Sequence, residues 1–598
     1  MTRAEHPAPP RRRRRTHPAL AEPPAATEHE RGLDKTIFGI SAVLALGFVA
    51  WGFLAPDNLG SASGSALGWI VSNLGWFFVL LASAVVVFVL WLAASPYGRI
   101  PLGRDGEAPE FRTISWVAMM FSAGMGIGLM FFGVAEPLTH YVSPPPGTVG
   151  GETDEAVTTA MATTLFHWTL HPWAIYALVG LAVAYGTYRR GRSQLLSSAF
   201  APIFGRKATE GPAGKLIDVL AIFATLFGTA ASLGLGALQI GSGLEIIGWV
   251  GEAGNAVIVA VLAVLTAAFV ASAFSGIARG IQWLSNINVV LAFTLALFVF
   301  VVGPTVLILN LVPTALGSYF GDLADMAART EAAGGDAIAE WLSGWTVFYW
   351  AWWISWTPFV GVFIARISRG RTIREFVTGV LLVPSVVTLF WFAVFGGSAI
   401  SAQQGGVDLA GEGSEEAQLF GLLETLPWTG VMTVIVMLLV AIFFVTGADS
   451  ASIVMASLSE RGRREPTPKI VIFWGVVTGG VAAVMLLSGG DVGLQGLRNL
   501  TIIGALPFAL VIVGLAVSLL KDVRCDPIVL RRTAAVEAVQ QAVVEGITKH
   551  GDDFSLAVQP SSNGSGPSPV QAALEQPADG TKTAQDVGSP IPKPDDGH

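Results

Sequence analysis

Long apolar runs separated by short polar breaks rich in Arg and Gly occupy most of the chain. A helix needs about 20 largely apolar residues to cross a hydrocarbon core of about 30 Å. Twelve stretches reach that length, roughly 36–55, 67–94, 112–141, 156–188, 216–247, 254–276, 281–315, 340–366, 372–400, 426–457, 468–489 and 496–520. The pattern predicts an all-α integral membrane protein with twelve transmembrane helices spread over a core of residues 36–521. Between the seventh and eighth runs, residues 319–339 mix acids with apolar side chains, which fits an amphipathic helix lying at the outer surface or an ordinary loop. After the last run, 526–548 predicts a short cytosolic helix. The rest of the 522–598 tail, rich in Ser, Pro, Gly and Asp, reads as disordered. The Pro- and Ala-rich arm 1–35 also reads as disordered.

Composition agrees with that pattern. Of the 598 residues 52% are hydrophobic and 13% charged, against about one quarter charged in soluble domains. The 69 glycines and 33 prolines suit membrane helices that pack closely or break. The single cysteine, Cys525, excludes an intrachain disulfide. No cleavable signal peptide is evident.

Charge then orients the chain. Of the 35 Lys and Arg residues, all but Arg329 and Arg498 fall in the N-terminal arm, the C-terminal tail or the loops on one side, including Arg189, Arg190, Arg192, Arg366, Arg369, Arg371 and Arg374. The opposite loops carry acids such as Glu152, Asp154, Glu155, Asp408, Glu412, Glu415 and Glu416. By the positive-inside rule both termini are expected in the cytosol. The block Arg11–Arg15, next to a first span, is read as holding the N-terminus inside rather than as binding nucleic acid. The tails hold no nucleotide-binding loop and are too short for an ATPase domain, so uphill transport would draw on an ion gradient.

Candidate chemistry lies inside the apolar runs. The third contains Gly124-Met125-Gly126-Ile127-Gly128. Each glycine weakens a helix by about 1 kcal/mol relative to alanine, which favours local unwinding around a cavity. The same glycines also suit close helix packing. In the fourth run Trp168, Trp173 and Tyr176 share about one third of the circumference of an ideal helix; an interfacial aromatic belt is the alternative. The eighth run repeats the pattern with Tyr349, Trp352, Trp353, Trp356 and Phe359, followed by weakening at Pro358 and Gly361. Two such helices can form a box whose ring faces attract a cation, above all a quaternary ammonium.

Hydroxyls four residues apart, Thr225 with Thr229 and Thr446 with Ser450, can complete a small-cation site or bond back to their own helices. Asp449 is an intramembrane acid, a candidate either for function or for pairing with a basic residue at the cytosolic edge. His167 and His171 have the i, i+4 spacing of a metal-binding helix, which would suit a membrane metalloenzyme, but no Glu accompanies them in the zinc-hydrolase arrangement.

Gly124–Gly128, His167-Trp168-Thr169-Leu170-His171-Pro172-Trp173, Trp350-Ala351-Trp352-Trp353-Ile354-Ser355-Trp356 and Ala448-Asp449-Ser450 resemble the betaine/carnitine/choline transporter family, especially its sodium-coupled glycine betaine carriers. The likeness covers roughly 36–521. It implies a leucine-transporter-type five-plus-five inverted repeat after two extra helices: 36–94 peripheral, 112–315 the first repeat and 340–520 the second. The function implied is import of glycine betaine or a similar methylated compatible solute by sodium symport and alternating access. The setting implied is a bacterial plasma membrane, with membrane lipid and a homotrimer as partners and no organic cofactor.

Carried over, Trp168, Trp173, Tyr176 and Trp353 would surround the trimethylammonium group, Trp356 would line the path, and the backbone of Ala123, Gly124 and Met125 would lie near the carboxylate. One sodium would sit by Thr225, Thr229 and Phe359. A second would sit by Ser122, Met125, Phe443 and Thr446. Where the sodium-coupled pattern has Thr-Ser, this chain has Thr446-Gly447, one hydroxyl fewer; a proton-coupled choline carrier or a sodium-independent exchanger is the alternative. The tail after 522 carries more acids than bases, unlike the long basic helix of osmotically regulated members.

Overall fold

A computed structural model describes residues 32–557 except 125, 276–277, 412–413, 464 and 489–492. Arg11–Arg15 and most of both tails lie outside the described residues. Among the described residues the chain is helical, with one isolated β-bridge between Pro101 and Thr372. Ten helices among the described residues are long and apolar enough to span a membrane, or eleven if a bent pair counts as one span. The twelfth expected stretch is the interrupted third run.

Helices α1 (Lys35–Leu54) and α2 (Pro56–Ala94) come first and expose many apolar side chains. The third run forms α3 (Thr113–Gly124) and α4 (Ile127–Val142), and the fourth forms α5 (Asp154–Trp168) and α6 (Leu170–Ala184). Next are α7 (Pro212–Ile246), α8 (Asn255–Ser275), α9 (Ala278–Val302) and α10 (Thr305–Gly321). A second set begins with α11 (Gly335–Gly344) and α12 (Thr346–Ile367) and continues through α13 (Ile373–Gln404), α14 (Thr429–Ser459), α15 (Pro468–Leu487) and α16 (Gly493–Arg524). Two spans followed by two sets of five is the order the resemblance implies. A separate unit contains one described helix, α17 (Pro527–His550), which presents Val536, Val539, Val544 and Ile547 to solvent.

Three stretches depart from the sequence reading. The seventh run is not one helix: α9 and α10 are bent by 108° at Gly303 and Pro304, where a residue without an N–H follows one without a side chain. The 319–339 segment is not a single amphipathic helix. Tyr319 to Gly321 close α10, short turns follow at Leu323–Ala327 and Glu331–Ala333, and Gly334 and Gly335 introduce α11. The fourth run is broken at Thr169, with φ −113° and ψ −108°. Pro172, three residues on, has no N–H to give the preceding turn, so Trp168 and Trp173 are not related by the simple helical arc.

The eighth run, by contrast, is not weakened at Pro358. The missing Pro N–H would have met the Ile354 carbonyl; the Thr357 hydroxyl donates to it instead, at 2.5 Å, and α12 continues to Ile367. Helices α6 and α12 cross closely at Gly180 and Gly361. A Cβ on Gly361 would lie 2.7 Å from Val179 and 3.2 Å from the Gly180 nitrogen.

Several basic side chains pair with acids in the loops at one end of the bundle. Lys215 and Arg461 reach Asp34 at 3.0 and 3.3 Å, Arg192 reaches Asp522 at 2.5 Å, and Arg369 reaches Glu107 at 2.7 Å. At the other end Arg498 pairs with Glu415 at 2.8 Å.

Candidate functional site: an aromatic cavity at two helix breaks

Both readings of the Gly-rich stretch hold, each at a different glycine. Gly126 is extended (φ −165°, ψ 179°) and separates α3 from α4 beside a cavity, its carbonyl accepting from the Leu129 N–H at 3.2 Å as α4 begins. Gly128 is where helices close up: a Cβ there would lie 2.6 Å from Trp352 and 2.9 Å from Trp168. Met125 lies outside the described residues, as do the side chains of Ser122, Ala123 and Gly124.

Trp168, Trp173, Tyr176 and Trp353 meet around one cavity of about 50 Å³, with Gly126, Gly128, Ser232, Trp352, Trp356 and Thr388. Trp168 meets Trp353 nearly edge-on, with ring centres 4.9 Å apart, and Trp173 meets Tyr176 at 5.4 Å. Trp353 is backed by Trp352, stacked at 4.8 Å. Four of the five indole N–H groups around the cavity are bonded elsewhere, that of Trp168 to Glu136 Oε2 at 2.6 Å. Trp353 donates to the His167 carbonyl at 2.9 Å, Trp356 to the Gly228 carbonyl at 2.9 Å, and Trp352 to Ser232 Oγ at 3.2 Å. The cavity therefore presents ring faces, which carry the negative part of the aromatic quadrupole.

Trp356, Gly126, Ile127, Ser232 and Val360 also line a second cavity of about 220 Å³, reached farther along α12 and α14 toward Arg366 and Arg461. Thr229, Phe359, Phe443, Thr446 and Gly447 line it too, so four of the residues carried over for sodium meet here. Thr225 is not among its lining residues; its hydroxyl donates to the Ala221 carbonyl at 2.8 Å. Thr446 likewise bonds back to Ile442, at 2.8 Å. Asp449 is buried and makes no ion pair among the described residues, so the expected partner at the helix edge is not found.

His167 does not pair with His171, whose ring stacks on Trp350 at 5.0 Å and whose Nε2 lies 3.4 Å from Ser83 Oγ. His167 instead joins Glu136 and His140, with ligand-type atoms all within 4.8 Å of one another. Glu136 was missed in the sequence, as were Ser232, Asn288 and Thr388. The available signal was an acid inside the apolar run Phe131–Tyr141, four residues before His140.

A family model described as betaine/carnitine/choline family transporter matches residues 36–528. The chain is 48% identical to the betaine/ectoine transporter LcoP of Corynebacterium glutamicum, over 92% of this chain and 88% of that protein. It is 46% identical to the glycine betaine transporter OpuD of Bacillus subtilis, over 81% of this chain and 93% of that protein. With a matched family and two long, closely similar relatives that are transporters and not enzymes, this multi-pass membrane chain belongs to the betaine/carnitine/choline transporter family.

Proposed function

We propose that the protein imports glycine betaine or a closely similar methylated-ammonium compatible solute by sodium symport, alternating access about the aromatic cavity between the two sets of five spans. The observation that carries this reading is the convergence of Trp168, Trp173, Tyr176 and Trp353 around one cavity beside the extended backbone of Gly126. Ring faces suit a poorly hydrated trimethylammonium group, and the N–H groups at the uncapped N-terminus of α4 suit its carboxylate. Betaine is the solute named for both relatives, and ectoine, named for LcoP as well, is a zwitterion without a methylated ammonium.

Sodium would be held beside the second cavity, by Thr225, Thr229 and Phe359 and by Phe443, Thr446 and the backbone near Ser122 and Met125. The setting is a bacterial inner membrane with both termini in the cytosol, and the assembly a homotrimer in contact with lipid. Light scattering of detergent-solubilised protein checks the trimer: a monomer mass removes that part of the reading.

Uptake of labelled betaine into liposomes, with sodium or potassium as the external cation, tests the coupling. Equal uptake in both would refute it and favour the second reading, sodium-independent exchange or proton coupling, for which Gly447 is the motivating feature. Replacing Trp353 by Leu removes a cation–π contribution of about 2 kcal/mol, so the half-saturation for betaine rises about thirtyfold. An unchanged half-saturation would remove Trp353 from the site.

A further inference from the structure

Glu136 on α4 is fully buried and lines neither cavity, yet it is bonded to the cavity wall. Its Oε2 accepts from the Trp168 indole N–H at 2.6 Å and from the Tyr349 hydroxyl at 2.5 Å, and its Oε1 lies 2.6 Å from His167 Nδ1. An indole can only donate, and contacts this short are typical of bonds to an ionised acceptor. His167 need not be cationic to serve as the third donor. Thr346 Oγ1 lies 2.9 Å from its Nε2, so a hydroxyl donated there leaves the ring proton on Nδ1, facing Glu136.

The neighbouring groups leave that carboxylate without a hydrogen-bonded cation. His140 Nε2 is 3.6 Å from Oε1, beyond hydrogen-bond length, and makes no other hydrogen bond. Arg498, over the Trp345 and Phe348 rings, is paired with Glu415 at 2.8 Å. A carboxylate at membrane depth is costly and marks function by default.

We infer that Glu136 is a positioning residue that makes the aromatic cavity prefer a cation, acting through Trp168 and Tyr349 from behind the wall. An indole N–H donated to an anion shifts electron density onto its own ring, and the Trp168 ring lines the cavity. Tyr349, held by the same oxygen, stacks on Trp353 with centres 5.9 Å apart and planes 18° apart. In a low-dielectric interior the carboxylate also attracts a cation across the ring directly. The residue thus separates a methylated ammonium from a tert-butyl group of the same shape. The inference rests on the cavity being the substrate site.

The test compares glycine betaine with its carbon isostere, 3,3-dimethylbutanoate, as competitors of labelled betaine uptake in liposomes. The wild-type protein prefers betaine. In Glu136→Gln, which keeps the shape and one acceptor oxygen, the ratio of the two inhibition constants falls about tenfold or more. In Glu136→Asp, which keeps the charge, the ratio stays at the wild-type value even if both ligands bind more weakly. A Glu136→Gln ratio equal to wild type overturns the inference and leaves Glu136 a merely structural group. If Glu136→Gln is not recovered folded, a collapsed ratio in Glu136→Asp overturns it instead. A wild-type protein indifferent between the two ligands refutes the cavity as a cation site, a different failure that removes this inference with it.

Discussion

Single atoms decide much at this site. A methyl on Gly128 would press into two tryptophans, at 2.6 and 2.9 Å, so Gly128→Ala is expected to cost about 1–3 kcal/mol by overpacking and to weaken betaine binding. A melt and a half-saturation as in wild type would show that the wall can yield there. Gly447 is the opposite case, since a Cβ there meets nothing within 4 Å and the residue lines the second cavity. Gly447→Ser therefore adds a hydroxyl without a clash, and the sodium concentration for half-maximal uptake is expected to fall severalfold, by about 1 kcal/mol for one added ligand. No change in sodium dependence would place that hydroxyl away from any ion. The aromatic residues were legible in the sequence because tryptophan is rare and their spacing is local. Glu136 was not, because its partners Trp168 and Tyr349 lie 32 and 213 residues away in sequence, on other helices.

At the scale of helices, the breaks carry the function and the crossings hold it together. Hydropathy located the runs well, since burial in lipid or protein demands apolar side chains regardless of local geometry. It could not show the 108° bend after Val302 or the fracture at Thr169, because both lie within runs that stay apolar on either side. Nor did Pro358 break its helix as its chemistry suggested, because the neighbouring hydroxyl of Thr357 supplies the lost bond. The crossing of α6 and α12 depends on Gly180 and Gly361, whose backbones nearly touch. Gly361→Val would force apart the two helices that carry Tyr176 and Trp353. The expected result is a lower melting temperature together with a raised betaine half-saturation; a loss of stability with intact affinity would show that the crossing and the cavity are independent.

Across the whole molecule, one acid joins segments far apart in the chain. Asp34 caps α1, accepts from Lys215 at the start of α7 and from Arg461 after α14, and its own N–H reaches the Ser459 carbonyl at 2.8 Å. Burial works to raise its pKa, but hydrogen bonds from Lys215 and from the Ile37 and Thr36 amides outweigh it and hold the carboxyl below its ordinary value. A lowered carboxylate pKa stabilises the fold above the unfolded-state value, and that contribution is lost as pH falls through the folded-state value. Asp34→Asn should therefore melt lower than wild type at neutral pH, with the gap closing in acid below about pH 4. A gap that stays constant down to acid would assign Asp34 a purely steric role.

The lone thiol offers a different use of the same chain. Cys525 is exposed and has no second cysteine to confuse its reaction. The unmodified protein is thus already a single-site labelling reagent. A maleimide too polar to cross a bilayer should leave intact, right-side-out cells unlabelled and mark the protein in inverted vesicles. Labelling of intact cells would turn the whole reading of the membrane inside out.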